Sequence, residues 1–260
     1  MASFMFKNAI VRPPPTNFAE GLTTAHLGPP DLERALGQHE RYCEALQACG
    51  LTLTRLVADL HYPDSTFVED TAILTDHCAI LTRPGAICRE GEVASIKDAL
   101  ACFYSSFHEI TSPGTLDGGD VSEAGNRFFI GISNRTNAEG ARQLAGFLEK
   151  EGYGSAFIDI RGIPGILHLK SGLAWLGGRR LVLVDSLAGH EAFRGYDIVR
   201  VDPVENYAAN CLLVNERVLL PAGYPGMLTA LRNPDCAVIT LDMSEFEKMD
   251  GGLSCLSLRF

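Results

Sequence analysis

The chain has 260 residues, 46% of them hydrophobic, and a formal net charge of -10. That length and apolar content suit one domain, 1–260, with a large core; no stretch approaches the roughly 18 consecutive apolar residues of a membrane span. The acidic balance, without a concentrated basic face, argues against nucleic acid as a partner.

Met1 to Phe18 carries Pro13-Pro14-Pro15 and no apolar signal core, so the protein is expected to be cytoplasmic. Its eight cysteines, at 43, 49, 78, 88, 102, 211, 236 and 255, form no Cys-x-x-Cys pair and read as reduced thiols.

In chain order, Asn8 to Arg12 is a short apolar strand, followed by a proline-bearing loop to Pro30. A helix begins near Asp31, with Leu32, Leu36, Tyr42, Cys43, Leu46 and Cys49 at three- and four-residue spacings and Gly50 as its stop. Leu51 to Val57 alternates as a strand. Phe67 to Leu74 and Cys78 to Thr82 read as a hairpin, followed by a helix over Glu92 to Tyr104 and a strand over Phe107 to Ile110.

The same order recurs. Asp120 to Ala124, Arg127 to Ile132, a helix over Ala138 to Lys150 and a strand over Ala156 to Ile160 make the second unit. Gly172 to Leu176, Arg180 to Asp185, a short helix near Glu191 and Asp197 to Val201 make the third. Ala209 to Val214, Val218 to Pro221, a helix over Met227 to Arg232 and Ala237 to Leu241 make the fourth. The fifth joins a final strand, Leu253 to Arg259, to the N-terminal strand, helix and strand, so that the chain closes as a ring. Counting Asp70, Asp120, Ser171, Asn210 and Cys255 gives steps of 50, 51, 39 and 45 residues, a loose period that indicates repeats. The expected fold is an α/β, five-bladed propeller of pseudo-symmetric hairpin-helix-strand repeats.

Residues at the heads of the first strands should then converge on the axis, and they are polar: Glu69, Asp70, Asp117, Asp120, His168, Asn210 and Cys255. Each alone has a bland reading, since Asp before Gly-Gly is a common turn signal and a lone cysteine is usually core. Together they supply a thiol nucleophile, one histidine as acid and base, and several carboxylates. Clustered carboxylates need a cation, and without a metal-ligand pattern the best match is a planar guanidinium. Gly251-Gly252 before Cys255 are read as a tight, positive-φ approach turn.

The segments Pro63-Asp64-Ser65-Thr66-Phe67-Val68-Glu69-Asp70, Thr115-Leu116-Asp117-Gly118-Gly119-Asp120-Val121, Arg135-Thr136-Asn137, Leu167-His168-Leu169-Lys170, Ala208-Ala209-Asn210-Cys211 and Asp250-Gly251-Gly252-Leu253-Ser254-Cys255 resemble the dimethylarginine dimethylaminohydrolase family. That family belongs to the guanidine-modifying (amidinotransferase) superfamily with the five-bladed propeller. The resemblance implies hydrolysis of dimethylarginine and monomethylarginine to citrulline through a covalent thiouronium. It implies Cys255 as nucleophile, His168 as general acid and base, and Asp117 and Asp70 as holders of the guanidinium. Asp64 and Glu69 would order a loop and contact substrate, Arg89 and Arg135 would clamp the amino acid's carboxylate, and Leu22 and Met249 would contact substrate mainly through backbone. Some members carry glutamate where Asp117 stands.

The implied partner is a small-molecule substrate, a methylated arginine, with neither nucleic acid nor membrane, on a monomer or homodimer. No cofactor is implied and no metal, apart from inhibitory zinc at Cys255 and His168. Two alternatives are a deiminase acting on free arginine and a non-catalytic propeller that serves as a binding factor.

Overall fold

The computed structural model describes residues 5–232 and 237–260; Cys236 lies outside them. They fall into two compact units, one drawn from Met1–Val68 and Cys211–Phe260, the other Glu69–Asn210. No helix among the described residues is long and apolar enough to cross a membrane.

β1 (Asn8–Val11) leads through α1 (Leu32–Ala48) to β2 (Thr52–Arg55). β3 (Ala72–Leu74) and β4 (Ala79–Leu81) form a hairpin, from which α2 (Glu92–Leu100) crosses to β5 (Phe107–Glu109). β6 (Val121–Glu123) and β7 (Arg127–Ile132) follow, with α3 (Ala138–Lys150) crossing to β8 (Gly154–Asp159). β9 (Leu173–Trp175) and β10 (Arg180–Val184) cross to β11 (Asp197–Val201) through only a 3-10 turn at Glu191–Phe193. β12 (Leu212–Val214), β13 (Arg217–Pro221), α4 (Pro225–Leu231) and β14 (Ala237–Leu241) repeat the pattern. α5 (Ser244–Glu247) then precedes β15 (Leu258–Arg259), which pairs antiparallel with β1.

The result is five three-stranded sheets. In each, the central strand is antiparallel to one neighbour and parallel to the other. A parallel pair cannot be joined by a tight turn, so every sheet needs a crossover, and a short amphipathic helix supplies most of them. In α3, Ala141, Leu144 and Leu148 are buried with Phe128, Ile130, Ile80 and Leu116 in one apolar cluster, while its polar side faces outward.

The boundaries differ from the sequence expectation in one systematic way. The first strand of each sheet is shorter than predicted, and a short 3-10 segment stands at or just before its head: Val68–Thr71, Gly118–Asp120, Leu169–Ser171, Pro203–Ala209, which is kinked at Glu205, and Ser254–Leu256. Cys255 therefore lies on a 3-10 turn rather than in the predicted strand Leu253 to Arg259, of which only Leu258–Arg259 is extended. Such a turn closes its backbone bonds within three residues, as from Asp120 N to Asp117 O, Ser171 N to His168 O and Cys255 N to Gly252 O. Segments this short leave no periodicity to read. In α1, Leu36 is 42% exposed, and Gln38 and His39 join Tyr42, Cys43 and Leu46 on the buried side instead. α2 stops at Leu100 rather than Tyr104.

α3 is tied to the preceding loop at its start. Asn137 Oδ1 accepts from Gly140 N at 2.8 Å and from Thr115 N at 3.1 Å, and Asn137 Nδ2 donates to Pro113 O at 2.8 Å. Replacing Asn137 with alanine removes the cap and unpairs the loop, so it should cost about 1–2 kcal/mol, read as a lower urea midpoint at unchanged slope. A midpoint equal to the parent's would show that the cap contributes nothing.

Candidate active site

Within Glu69–Asn210, the polar residues of successive 3-10 turns hold one another. Asp70 Oδ1 accepts from Gly119 N at 2.9 Å in the next turn, and Asp120 Oδ1 accepts from Leu169 N at 3.0 Å in the turn after that. Asn210 Nδ2 donates to Lys170 O at 2.9 Å. Gly118 and Gly119 make the first of these approaches possible. A Cβ on Gly118 would sit 2.0 Å from Glu69 O, and one on Gly119 would sit 2.8 Å from His168 Nδ1, closer than any side chain tolerates.

These turns bury a charge network. Asp70 Oδ2 accepts from Arg89 Nη1 at 2.6 Å, and Arg89 also donates through Nε and Nη2 to Glu92 at 2.9 and 2.8 Å. Asp117, with no exposed surface, accepts from His168 Nε2 at 3.0 Å on one oxygen and from Gly85 N at 2.8 Å on the other, while its own N–H donates to Thr136 Oγ1. Ser133 Oγ donates to Asp120 Oδ2 at 2.6 Å, and Lys170 Nζ pairs with Glu69 Oε1 at 2.7 Å.

Burial by itself would push the His168 imidazole down, but the Asp70 and Asp120 charges and the bond and charge of Asp117 outweigh it and hold the ring up at about 9. Burial would conversely raise Asp70, but His168 and Arg89, with the bonds from Arg89 and Gly119 N, leave it below the usual carboxylate range. Burial also raises Asp120, only partly offset by His168, Ser133 and Leu169 N. At neutral pH His168 is thus an imidazolium, a proton donor held between carboxylates. Glu69, Asp70, Glu92, Asp117 and Asp120 face three cations, Arg89, Lys170 and His168, so the cluster has room for another positive charge. Donor atoms of Asp70, Asp117 and His168 lie within 4.8 Å of one another and form a carboxylate-imidazole set able to hold a metal ion.

In the other unit, Cys255 is half-buried on its turn. Leu22 N donates to both Asp64 carboxylate oxygens at 3.1 Å, and a Cβ on Gly21 would meet Asp64 Oδ1 at 2.4 Å and Met249 Cε at 3.1 Å. Leu22, Asp64 and Met249 are thereby brought together. The loop is tethered further by Thr23 Oγ1 to Lys248 O and Thr24 Oγ1 to Asp250 Oδ2, at 2.8 and 2.9 Å. The left-handed residue of this approach is Asp250, at φ 56, and not Gly251 or Gly252 as predicted. Gly251 serves for space instead, since a Cβ there would lie 2.3 Å from Phe67 Cε1.

Arg135 is half-buried, and its Nη1 is buried without a hydrogen-bond partner among the described residues. Arg89, expected at a substrate carboxylate, makes the contacts to Asp70 and Glu92 given above. Sequence reasoning missed Glu92 and Lys170 as members of the network and left Asp120 without a role. A signal existed for the first two, since Glu92 follows Arg89 at the i,i+3 spacing of a helical ion pair and Lys170 stands beside His168.

No protein-family model matches the chain. The N(G),N(G)-dimethylarginine dimethylaminohydrolase of Pseudomonas aeruginosa is 44% identical over 257 residues, covering 98% of this chain and 100% of that one. Two solved structures at 44% identity superpose with TM-scores of 0.94. One is a cysteine-to-serine variant from P. aeruginosa complexed with citrulline, covering 99% of this chain and 100% of that one. The other is a histidine-to-glycine variant of dimethylarginine dimethylaminohydrolase as an adduct with S-methyl-L-thiocitrulline, covering 98% and 100%. Five sheets of one topology and this likeness along the whole chain make the fold a five-bladed α/β propeller of the amidinotransferase type. Within that class, the chain belongs to the dimethylarginine dimethylaminohydrolase family.

The buried imidazolium has a consequence for stability. Because His168 is raised above its unfolded value near 6.5, its contribution is full below that pH and is lost as pH rises through about 9. Asp70, held low, contributes above the ordinary carboxylate range and loses its contribution as pH falls through its depressed value. In a Cys255→Ser background, the urea midpoint should therefore fall between about pH 6.5 and 9, and adding His168→Gln should flatten that limb. Equal alkaline slopes in the two proteins would contradict a buried imidazolium.

Proposed function

We propose that this chain, acting as one propeller domain over residues 1–260, hydrolyses Nω,Nω-dimethyl-L-arginine and N-monomethyl-L-arginine to L-citrulline and dimethylamine or methylamine. The observation that carries this reading is the buried network of Asp70, Asp117, Arg89 and imidazolium His168, in a chain of this family. Its excess of carboxylates suits a guanidinium, and its raised histidine suits a proton donor to a departing amine.

Cys255 is the nucleophile and attacks the guanidinium carbon held by Asp70 and Asp117. An imidazolium cannot take the thiol proton, so that proton passes to solvent as the bound cationic substrate favours the thiolate over the neutral thiol, whose ordinary value is about 8.5. His168 gives its proton to the amine nitrogen as the C–N bond breaks, and a thiouronium remains on Cys255. Neutral His168 then takes a proton from water as its oxygen attacks the same carbon. Breaking of the C–S bond returns the thiolate, the remaining hydroxyl proton passes to solvent, and the ureido group of citrulline is left.

Glu69 is paired with Lys170 and is assigned to substrate contact, and Asp64 to ordering the Leu22 loop, with backbone at Leu22 and Met249 lining the substrate. The buried, unpartnered Nη1 of Arg135 makes it the main clamp for the α-carboxylate. We assign Arg89 a share of that carboxylate as well as its hold on Asp70. Thiols at Cys88 and Cys102, both exposed, suit a reducing, cytoplasmic setting.

Offering arginine, monomethylarginine and asymmetric dimethylarginine in parallel, with citrulline and released amine measured, should show turnover of the two methylated substrates above arginine. Cys255→Ser should abolish it and Cys88→Ser or Cys102→Ser should not; comparable turnover by Cys255→Ser would remove the mechanism. His168→Gly should still form the covalent adduct but hydrolyse it slowly, so intact-mass spectrometry should find adduct accumulating. Absence of both the adduct and any substrate protection of Cys255 from iodoacetamide would instead make His168 the source of the thiolate.

Arg135→Ala should raise KM by about 10–100-fold with little change in kcat, as expected for loss of a charged hydrogen bond of roughly 1.5–3 kcal/mol. Arg89→Ala should lower kcat as well, because it leaves Asp70 and Glu92 uncompensated. An Arg135→Ala effect confined to kcat would reject the clamp.

A further inference from the structure

A second cluster of ligating side chains lies away from the network just described. Cys78, His108 and Glu151 each offer one donor atom, all within 4.8 Å of one another. They come from three elements of the same unit. Cys78 directly precedes β4, His108 is the central residue of β5, and Glu151 caps the C-terminal end of α3. β4 and β5 run parallel with Ile80 opposite His108, so Cys78, two residues before Ile80, projects on the same face of the sheet as His108. Glu151 closes that face from the helix.

Two of the donors are held by their surroundings. The His108 ring stacks on Phe147 of α3, with centroids 4.6 Å apart and planes 10° apart. Thr75 Oγ1 lies 3.5 Å from Cys78 Sγ and also accepts from Cys78 N at 3.1 Å, fixing the turn that presents the sulfur. Cys78 is fully buried, while His108 and Glu151 are half-buried, so the donors form a small cup reached from the His108 and Glu151 side. Further carboxylates, Asp76 and Glu123, lie close enough to Tyr153 to act on its hydroxyl together with Glu151. The cations nearby are Lys150, 5.7 Å over the opposite partner ring Phe147, and Lys170, which acts on Glu123.

We propose that Cys78, His108 and Glu151 form a second metal site, for a borderline-soft divalent cation of the zinc type, with water as the fourth ligand. One thiolate, one imidazole and one carboxylate make a donor set that suits zinc, whereas magnesium and calcium seek oxygen alone. Tetrahedral coordination places donors about 3.5 Å apart, which the half-exposed His108 and Glu151 reach by small side-chain rotations. Binding forms bonds to Cys78 Sγ, a His108 ring nitrogen and a Glu151 oxygen, and releases the thiol proton to solvent. The ion would rivet the 75–78 turn and β5 to the end of α3, at a place distinct from the Asp70, Asp117 and His168 cluster.

The test uses the full chain carrying Cys255→Ser, which removes the nucleophilic thiolate as a rival ligand. Cobalt(II) titrated into this protein should give a thiolate-to-cobalt charge-transfer band that saturates at one thiolate-ligated equivalent. Zinc should displace it and raise the melting temperature progressively as free zinc increases. Adding Cys78→Ser should abolish the band, and adding His108→Ala or Glu151→Gln, at half-exposed positions that test the site even if Cys78→Ser fails to fold, should weaken binding by about tenfold or more. Adding Cys88→Ser and Cys102→Ser should change nothing. Absence of the band in Cys255→Ser, its survival in Cys78→Ser, or its loss with Cys88 and Cys102 would overturn the proposal.

Discussion

The bonded pair of Asp117 and His168, buried beside the Asp70–Arg89 ion pair, is the constraint on which the rest of its unit depends. Charges removed from water are costly unless each is matched and hydrogen-bonded, and stripping one partner from such a pair typically costs about 3–5 kcal/mol. Here every oxygen of Asp70 and Asp117 has a donor, two of them backbone N–H groups of Gly119 and Gly85. The backbone must therefore pass very close to these carboxylates, and the absence of side chains at Gly118 and Gly119 is what permits it.

The same constraint explains why the repeats begin with 3-10 turns. A strand would point alternate side chains to opposite faces, whereas a tight turn directs one polar residue inward and offers a backbone N–H to the polar residue of the preceding repeat. Asp70 with Gly119, then Asp120 with Leu169, follow this rule. Equivalent positions have accordingly diverged in task. Asp120 positions the backbone beside His168, Asn210 holds Lys170 O, and the fifth equivalent is Cys255. Repetition supplies the frame, and substitution at one position per repeat supplies the chemistry.

Several functional side chains also have a structural partner, which couples activity to stability. Arg89 links Asp70 to Glu92 at the start of α2, and Asp64 pins the Leu22 loop. The raised His168 and lowered Asp70 share their mutual attraction, alongside Asp117, Asp120 and Arg89, so the proton on His168 belongs to the charges that hold the unit together. A rise in pH that removes it therefore weakens that set.

The repeat itself was legible in the sequence because its signals are local. β7 and α3 fall at Arg127–Ile132 and Ala138–Lys150, and β11 and β14 at Asp197–Val201 and Ala237–Leu241, as their apolar patterning predicts. Asp70, Asp117 and His168 could likewise be picked out as polar residues at repeat heads, and they share one buried cluster. The 3-10 turns were not legible, since segments this short carry no period, nor was the left-handed Asp250 in place of a glycine. Sequence by itself determined the order of elements, their repetition and the chemical kinds of residue set at the repeat heads, because those follow from spacing and side-chain type. Only the tertiary structure decided the distant charge partners: that Arg89 reaches Asp70, that Glu69 is matched by Lys170 and that His168 stays protonated. Those outcomes depend on burial and on charges brought together across 19 to 101 positions of chain, as between Asp70 and Arg89 or between Glu69 and Lys170, and no local pattern records them.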